Sequence, residues 1–170
     1  MNWTEYLFSF SGRINRAKLW LFVLIVFLVE IAFFILFAGI FSMSALLAED
    51  NVLAPAMTGG PAAIAFFVAC AIVGIAIVVA SIALTVKRLH DRNKGAAWLL
   101  VFWLLPIVLD VSAGAMSPNS GQDPGGLSAA GVALMLASLA VSIWAFVELY
   151  CLRGTIGDNR FGPDPLADRA

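Results

Sequence analysis

The residues best suited to chemistry fall in one short run, "KRLHDRNKG", Lys87–Gly95. It holds the only histidine of the chain and four of its ten basic residues. A carboxylate that orients an imidazole makes a general base, and here Asp91 follows His90. Neighbours in sequence, however, seldom point the same way on a helix or turn. No nucleophile stands at a fixed spacing and there is no second histidine. His90 and Asp91 are therefore expected to make structural hydrogen bonds. Cys70 and Cys151 with one histidine form no zinc pattern, and neither is expected in a disulfide. A second run, "GTIGDNRFG" from Gly154 to Gly162, has spaced glycines. It follows a helix, opens none and lacks Gly-Lys-Ser/Thr, so it does not read as a phosphate loop. Its glycines are expected in turns with positive φ. No cofactor, no metal, no enzymatic activity and no nucleic-acid partner are expected.

Three acids stand apart because of where they fall. Glu30 is about 18 Å along a helix from the start of the first apolar run, at 1.5 Å per residue. A carboxylate at such depth costs roughly 2.5–3.5 kcal/mol on insertion scales. Without a cation nearby it is expected to be neutral and to bond a hydroxyl, such as that of Ser138 or Ser142. The sharper reading is a proton or ion relay, with Asp110, just after Pro106, as a second station. Glu148 is expected to pair with Arg13, Arg16 or Arg88. Arg160 or Asp158 is expected to join ion pairs with Asp91, Arg13 or Arg16. Arg92 and Asn159 complete the candidate polar network.

The elements that position these groups are apolar runs. Of the 170 residues 62% are hydrophobic and 12% charged. A soluble domain is nearer a quarter charged, and so few charges cannot cover a fold of this size. The runs are too long and too uniform for barrel strands. They predict an all-α polytopic membrane protein, one domain over 1–170. Its four transmembrane helices fall at about 16–43, 61–88, 96–116 and 127–152, with a tail over 153–170. The third must take in Asp110 to be long enough. The first exceeds the core of a signal peptide and is expected to stay in place. Trp3, Tyr6, Leu7 and Phe10 recur at helical spacing, which predicts a short interfacial helix before Ser11-Gly12. Asn15 is expected to cap the first span. Small residues such as Ala65, Ala69 and Ala76 on the second span predict close helix packing or a dimer seam.

All ten cations lie before the first span, between the second and third, or after the fourth. Residues 44–60 and 117–126 have none and carry Glu49, Asp50 and Asp123. Short loops rich in Lys and Arg stay inside. Both termini and Lys87–Gly95 are thus expected in the cytoplasm, facing anionic headgroups.

Three stretches, "FSFSGRINRAKLW", "RLHDRNKGAAWLL" and "GTIGDNRFGPDP", together resemble the YhaH-like family of small bacterial inner-membrane proteins, a domain-of-unknown-function family. That family usually reads Ser-Gly-Trp-Trp after the basic run, where this chain has Gly95-Ala96-Ala97-Trp98. The resemblance implies four helices in the bacterial inner membrane and no assigned activity. It also implies that Gly12, Arg13, Asn15, Arg16, Arg88, His90, Asp91, Arg92, Gly154, Gly157, Asn159, Gly162 and Pro163 act together on one side. The leading expectation is a non-enzymatic interaction or accessory component, as a homo-oligomer or with a membrane protein partner. The alternative is a small transporter or channel subunit built on Glu30 and Asp110, and an enzyme around His90 ranks last.

Overall fold

The structure is a computed structural model describing residues 2–46, 61–116 and 128–167. The loops that hold Glu49, Asp50 and Asp123 lie outside the described residues. Every regular element among the described residues is helical, apart from one isolated bridge, Asn159 to Gly162. The helices are α1 (Trp3–Phe8), α2 (Arg16–Leu46), α3 (Pro61–Asp91), α4 (Leu105–Ala115) and α5 (Ala129–Phe146). Two single π-turns lead into α4 and out of α5, at Leu100–Leu104 and Val147–Cys151.

Local chemistry sets these boundaries. Asn15 caps α2, its Oδ1 accepting from the Lys18 amide at 2.9 Å, which satisfies one of the four orphan donors of a helix start. Asn93, at φ 56°, ends α3. The Lys94 amide donates back to the Leu89 carbonyl and the Asn93 amide to that of His90, the paired bonds of a Schellman close. Ser128 caps α5 through the Gly131 amide. The third apolar run starts later than expected, because residues 95–100 are taken up by tight turn bonds such as Trp98 N–H to Gly95 O. The wide turn at Leu100–Leu104 sits just ahead of Pro106. A proline cannot donate to the carbonyl four residues back, and its ring crowds that turn.

Three helical stretches are long and apolar enough to cross a membrane: Arg16–Gly39, Ile64–Asp91 and Ala129–Cys151. The fourth, Leu100–Ala115, is shorter, about 24 Å against a hydrocarbon core of about 30 Å. Large apolar side chains such as Phe27, Phe34, Ile72 and Leu136 are exposed along these helices. An apolar surface that continuous is suited to lipid and not to water.

The chain forms two compact units, Trp20–Ile82 and a second made of Met1–Leu19 with Ala83–Ala170. In the first, the rings of Phe33 and Phe37 lie against Phe66 at 6.0 and 5.8 Å. A groove of about 350 Å³ there is lined by Glu30, Phe33, Cys70 and Gly74. In the second, α4 packs on α5, and the Ser138 hydroxyl donates to the Pro106 carbonyl. The best-buried stretch among the described residues is the end of α3. Ala83 through Leu89 are all buried, Thr85, Lys87 and Arg88 included. The core of this unit therefore sets buried polar and charged side chains among apolar ones such as Leu84, Val86 and Leu89, while its surface is greasy.

Candidate functional site

The last two turns of α3, Thr85 to Asp91, carry polar groups over most of their circumference, apart from the sector of Val86 and Leu89, and these groups are buried against other segments. α1 comes first. The Lys87 ammonium donates to the carbonyls of Glu5 and Tyr6, at 3.0 and 2.6 Å, near the C-terminal end of α1 where a cation is favoured. The Tyr6 hydroxyl donates to the Lys18 carbonyl, and burial pushes that phenol up from its ordinary range.

Asp91 is the hub. Its Oδ1 accepts from Arg13 Nε and Nη2 at 3.2 and 3.0 Å, and its Oδ2 from Arg88 Nη1. The side chains of all three residues are at most 3% exposed. A carboxylate held by two guanidiniums with little water present is in the regime where losing one partner strands a buried charge. The backbone carbonyl of Asp91 also grips the tail, accepting from the amide and hydroxyl of Thr155. Arg13 continues to the carbonyls of Thr155, Gly157 and Gly162. Every one of its nitrogens is engaged.

The end of α5 is closed by side chains from earlier segments. A helix leaves its last four carbonyls unsatisfied, and the π-turn opens them further. Arg88 donates to the carbonyls of Leu149 and Leu152, Arg16 to that of Cys151, and Arg92 to that of Arg153. Three arginines at a helix C-terminus also oppose its negative dipole end.

His90 places Nδ1 3.2 Å from the Gly12 carbonyl and stacks flat on Phe161, ring centroids 3.9 Å apart. Asn159 donates to the His90 carbonyl and the Thr155 hydroxyl. Arg13, Asn15, Arg16, Arg88, His90, Asp91, Arg92 and Asn159 are thus all placed in one assembly.

Four expectations are corrected. Glu148 is buried and paired, but with Arg92 Nε at 3.0 Å and Lys94 Nζ at 2.9 Å, because Asp91 and helix-end carbonyls already hold Arg13, Arg88 and Arg16. Asp158 and Arg160 do not join the ion pairs. Asp158 accepts from the Asp164 amide; Arg160 donates to the Asn93 carbonyl and lies over Phe161. Gly154 has no positive φ, unlike Gly12, Gly157 and Gly162; a Cβ at Gly154 would collide with the Asp91 carboxylate. Glu30 is exposed on its helix rather than buried, and the Ser138 hydroxyl, one of its expected partners, donates to the Pro106 carbonyl; Asp110 is exposed on α4.

Lys87, Lys94, Thr155 and Asp164 are participants that sequence reasoning did not single out. Asp164 accepts from the amides of Gly157 and Leu166, both at 2.9 Å. The Leu166 and Gly157 amides, in that order, hold its carboxyl below the ordinary carboxylate range. A depressed folded pKa contributes stability that is present above the unfolded value and lost as pH falls through the folded one. The tail clasp should therefore loosen in acid. Hydrogen-exchange protection of Gly157 and Leu166 is expected to drop below the ordinary carboxylate range, and in Asp164→Asn already at neutral pH. Protection that ignores both changes would contradict this role.

A family model described as "Protein of unknown function (DUF805)" matches residues 7–163, which takes in the end of α1, the buried end of α3 and the tail up to Pro163. The chain belongs to this family. The uncharacterized protein YiiR of Escherichia coli strain K12, and its counterpart in strain O157:H7, are each 29% identical over 171 aligned residues, covering 94% of this chain and 88% of theirs. No solved structure matches. The DUF805 match ends at Pro163, at the tail turn that closes on Arg13.

Proposed function

We propose that the protein is a four-span component of the bacterial inner membrane with both ends in the cytoplasm, acting without catalysis as an interaction or accessory subunit. The carrying observation is the closed polar assembly around Asp91. Its acids are paired within it, and His90 is occupied by Gly12 and Phe161. What such an assembly presents outward is a rigid shape. Cations in residues 13–18, 87–94 and 153–169, against none in 44–60 and 117–126, support the orientation. Leu100–Ala115, extended by Trp98 and Leu99, supplies the fourth span. Ile156, 77% exposed on the tail, offers an apolar point of contact, while Arg16, Lys18, Arg153 and Arg160 remain exposed to anionic headgroups.

The test is a photoreactive residue at Ile156, compared with one at Leu136 on the apolar surface. Discrete protein adducts from Ile156 in native membranes, a second copy of this chain among them, are expected. Lipid adducts alone at Ile156 would end the interaction reading. Cysteine at the same position, in a chain lacking Cys70 and Cys151, should react with a membrane-impermeant thiol reagent only after the inner membrane is opened.

A transporter reading keeps one specific support, the groove that places Glu30 beside Cys70 and Gly74. An intramembrane acid is a functional candidate by default. In that case Glu30→Gln abolishes proton-coupled flux in vesicles; under the accessory reading it leaves basal proton leak unchanged.

A further inference from the structure

Beside the Asp91 hub lies a cleft of about 190 Å³, lined among others by Arg16, Arg88, Arg153, Asp91 and Asp164. Arg88 forms part of its wall although the residue is 1% exposed. A guanidinium carries five N–H donors. Among the described residues Arg88 uses three: Nε to Leu149, Nη1 to Asp91 and Nη2 to Leu152. One N–H on each terminal nitrogen is left over. Arg13, on the other side of Asp91, has no such surplus, since its contacts equal or exceed its donors.

The charges around the cleft do not cancel. Arg16, Arg88 and Arg153 line it with two carboxylates. Asp91 is already shared by two arginines, and Asp164 accepts from two backbone amides. Arg16 donates to one carbonyl only. Arg153 is exposed and makes no side-chain hydrogen bond among the described residues. Planar forks with spare donors suit an oxyanion that can take several N–H bonds at once; guanidinium forks match carboxylates and phosphates, and of the two phosphate has the more acceptor oxygens for three converging arginines. The volume is small beside the roughly 300–1,000 Å³ of drug-sized sites, so it suits a phosphate with its first substituent. Arg16 opens α2 and Arg153 lies two residues beyond Cys151, so both stand at ends of apolar spans, level with headgroups.

The geometry points to a phosphate-binding site, with the Arg88 guanidinium as its buried wall and Arg16 and Arg153 as its rim. This site rests on the fold of the polar end and not on the accessory role, so crosslinking from Ile156 and phosphate binding can fail separately.

The test uses the full-length protein in non-ionic detergent and native mass spectrometry. The probes are phosphatidylglycerol, a diglucosyl diacylglycerol that lacks phosphate, and sn-glycerol 3-phosphate. One retained phosphatidylglycerol per chain is expected, saturating, with no retained glycolipid. Arg153→Gln should weaken retention about tenfold, while Arg160→Gln, a cation on the same segment outside the cleft, should leave it within twofold. Arg153→Gln is the deciding variant, because among the described residues that side chain makes no hydrogen bond and meets the fold only through the charge of Asp164. Saturation by glycerol 3-phosphate, with displacement of the lipid, assigns a soluble phosphate source; retention of the lipid alone assigns a headgroup. Equal losses in Arg153→Gln and Arg160→Gln, retention of the glycolipid, or saturation by none of the probes would overturn the site.

Discussion

Replacing Asp91 by Asn should release the tail. The substitution preserves shape but leaves Arg13 and Arg88, both buried, facing a neutral amide. Removing one partner of a buried ion pair typically destabilises by about 3–5 kcal/mol, and here a single carboxylate serves two cations. The loss should fall mainly on the clasp, since Arg13 is what links residues 155, 157 and 162 to the N-terminal segment. Arg153 and Arg160 are trypsin sites in that clasp. When opening is fast relative to cleavage, proteolysis follows the open population, and about 3 kcal/mol raises that population roughly a hundredfold. Tryptic cleavage after Arg153 and Arg160 in detergent should accelerate by that order. A cleavage rate within a few-fold of wild type would show that the hub is dispensable.

Gly154→Ala is the second large effect, and its signature is dependence on Asp91. The added Cβ would overlap the carboxylate of Asp91. That side chain is short and fixed by both arginines, so it cannot swing aside without giving up its ion pairs. In the wild-type background the substitution should approach the severity of Asp91→Asn. In Asp91→Ala, where the obstructing atoms are gone, Gly154→Ala should add little, well under 1 kcal/mol in the unfolding midpoint. Contacting residues show such coupling and distant ones do not. Gly157→Ala is the contrast: its φ is +77° with open space around the Cβ position, so it should cost about 1 kcal/mol of backbone strain, the same in both backgrounds. Additive losses from Gly154→Ala and Asp91→Ala would refute the steric account.

Much of this organisation was readable in the chain. Uniform apolar runs imply helices in lipid, Asn15 announces a helix start, and Gly157 and Gly162 sit in turns where positive φ is needed. Orientation of single side chains was less accessible. α2 is apolar on all sides, so nothing in its periodicity says which way Glu30 turns, and it turns outward. The partners of Glu148 depend on which cations are already occupied, and that is settled by packing among segments 60 or more residues apart. Gly154 looks like any turn glycine because spacing carries no information about what lies across from it. A signal for Lys87 did exist. Lys87, Arg88 and Asp91 crowd polar groups onto one side of the last turns of α3 while Val86 and Leu89 hold the other, and a charged face at the end of an apolar span must be covered by partners of its own.

Arg13 meets its acceptors at Thr155, Gly157 and Gly162 across 142 to 149 residues of chain. The ribosome therefore makes the donor well before the acceptors, with the helices α2 to α5 in between. Until residues 155–162 emerge, the Arg13 guanidinium is without its three carbonyl acceptors, and the polar unit waits half-closed. Closure of this unit comes after α2 to α5 have been made: the clasp is a latch that can shut only on helices already present.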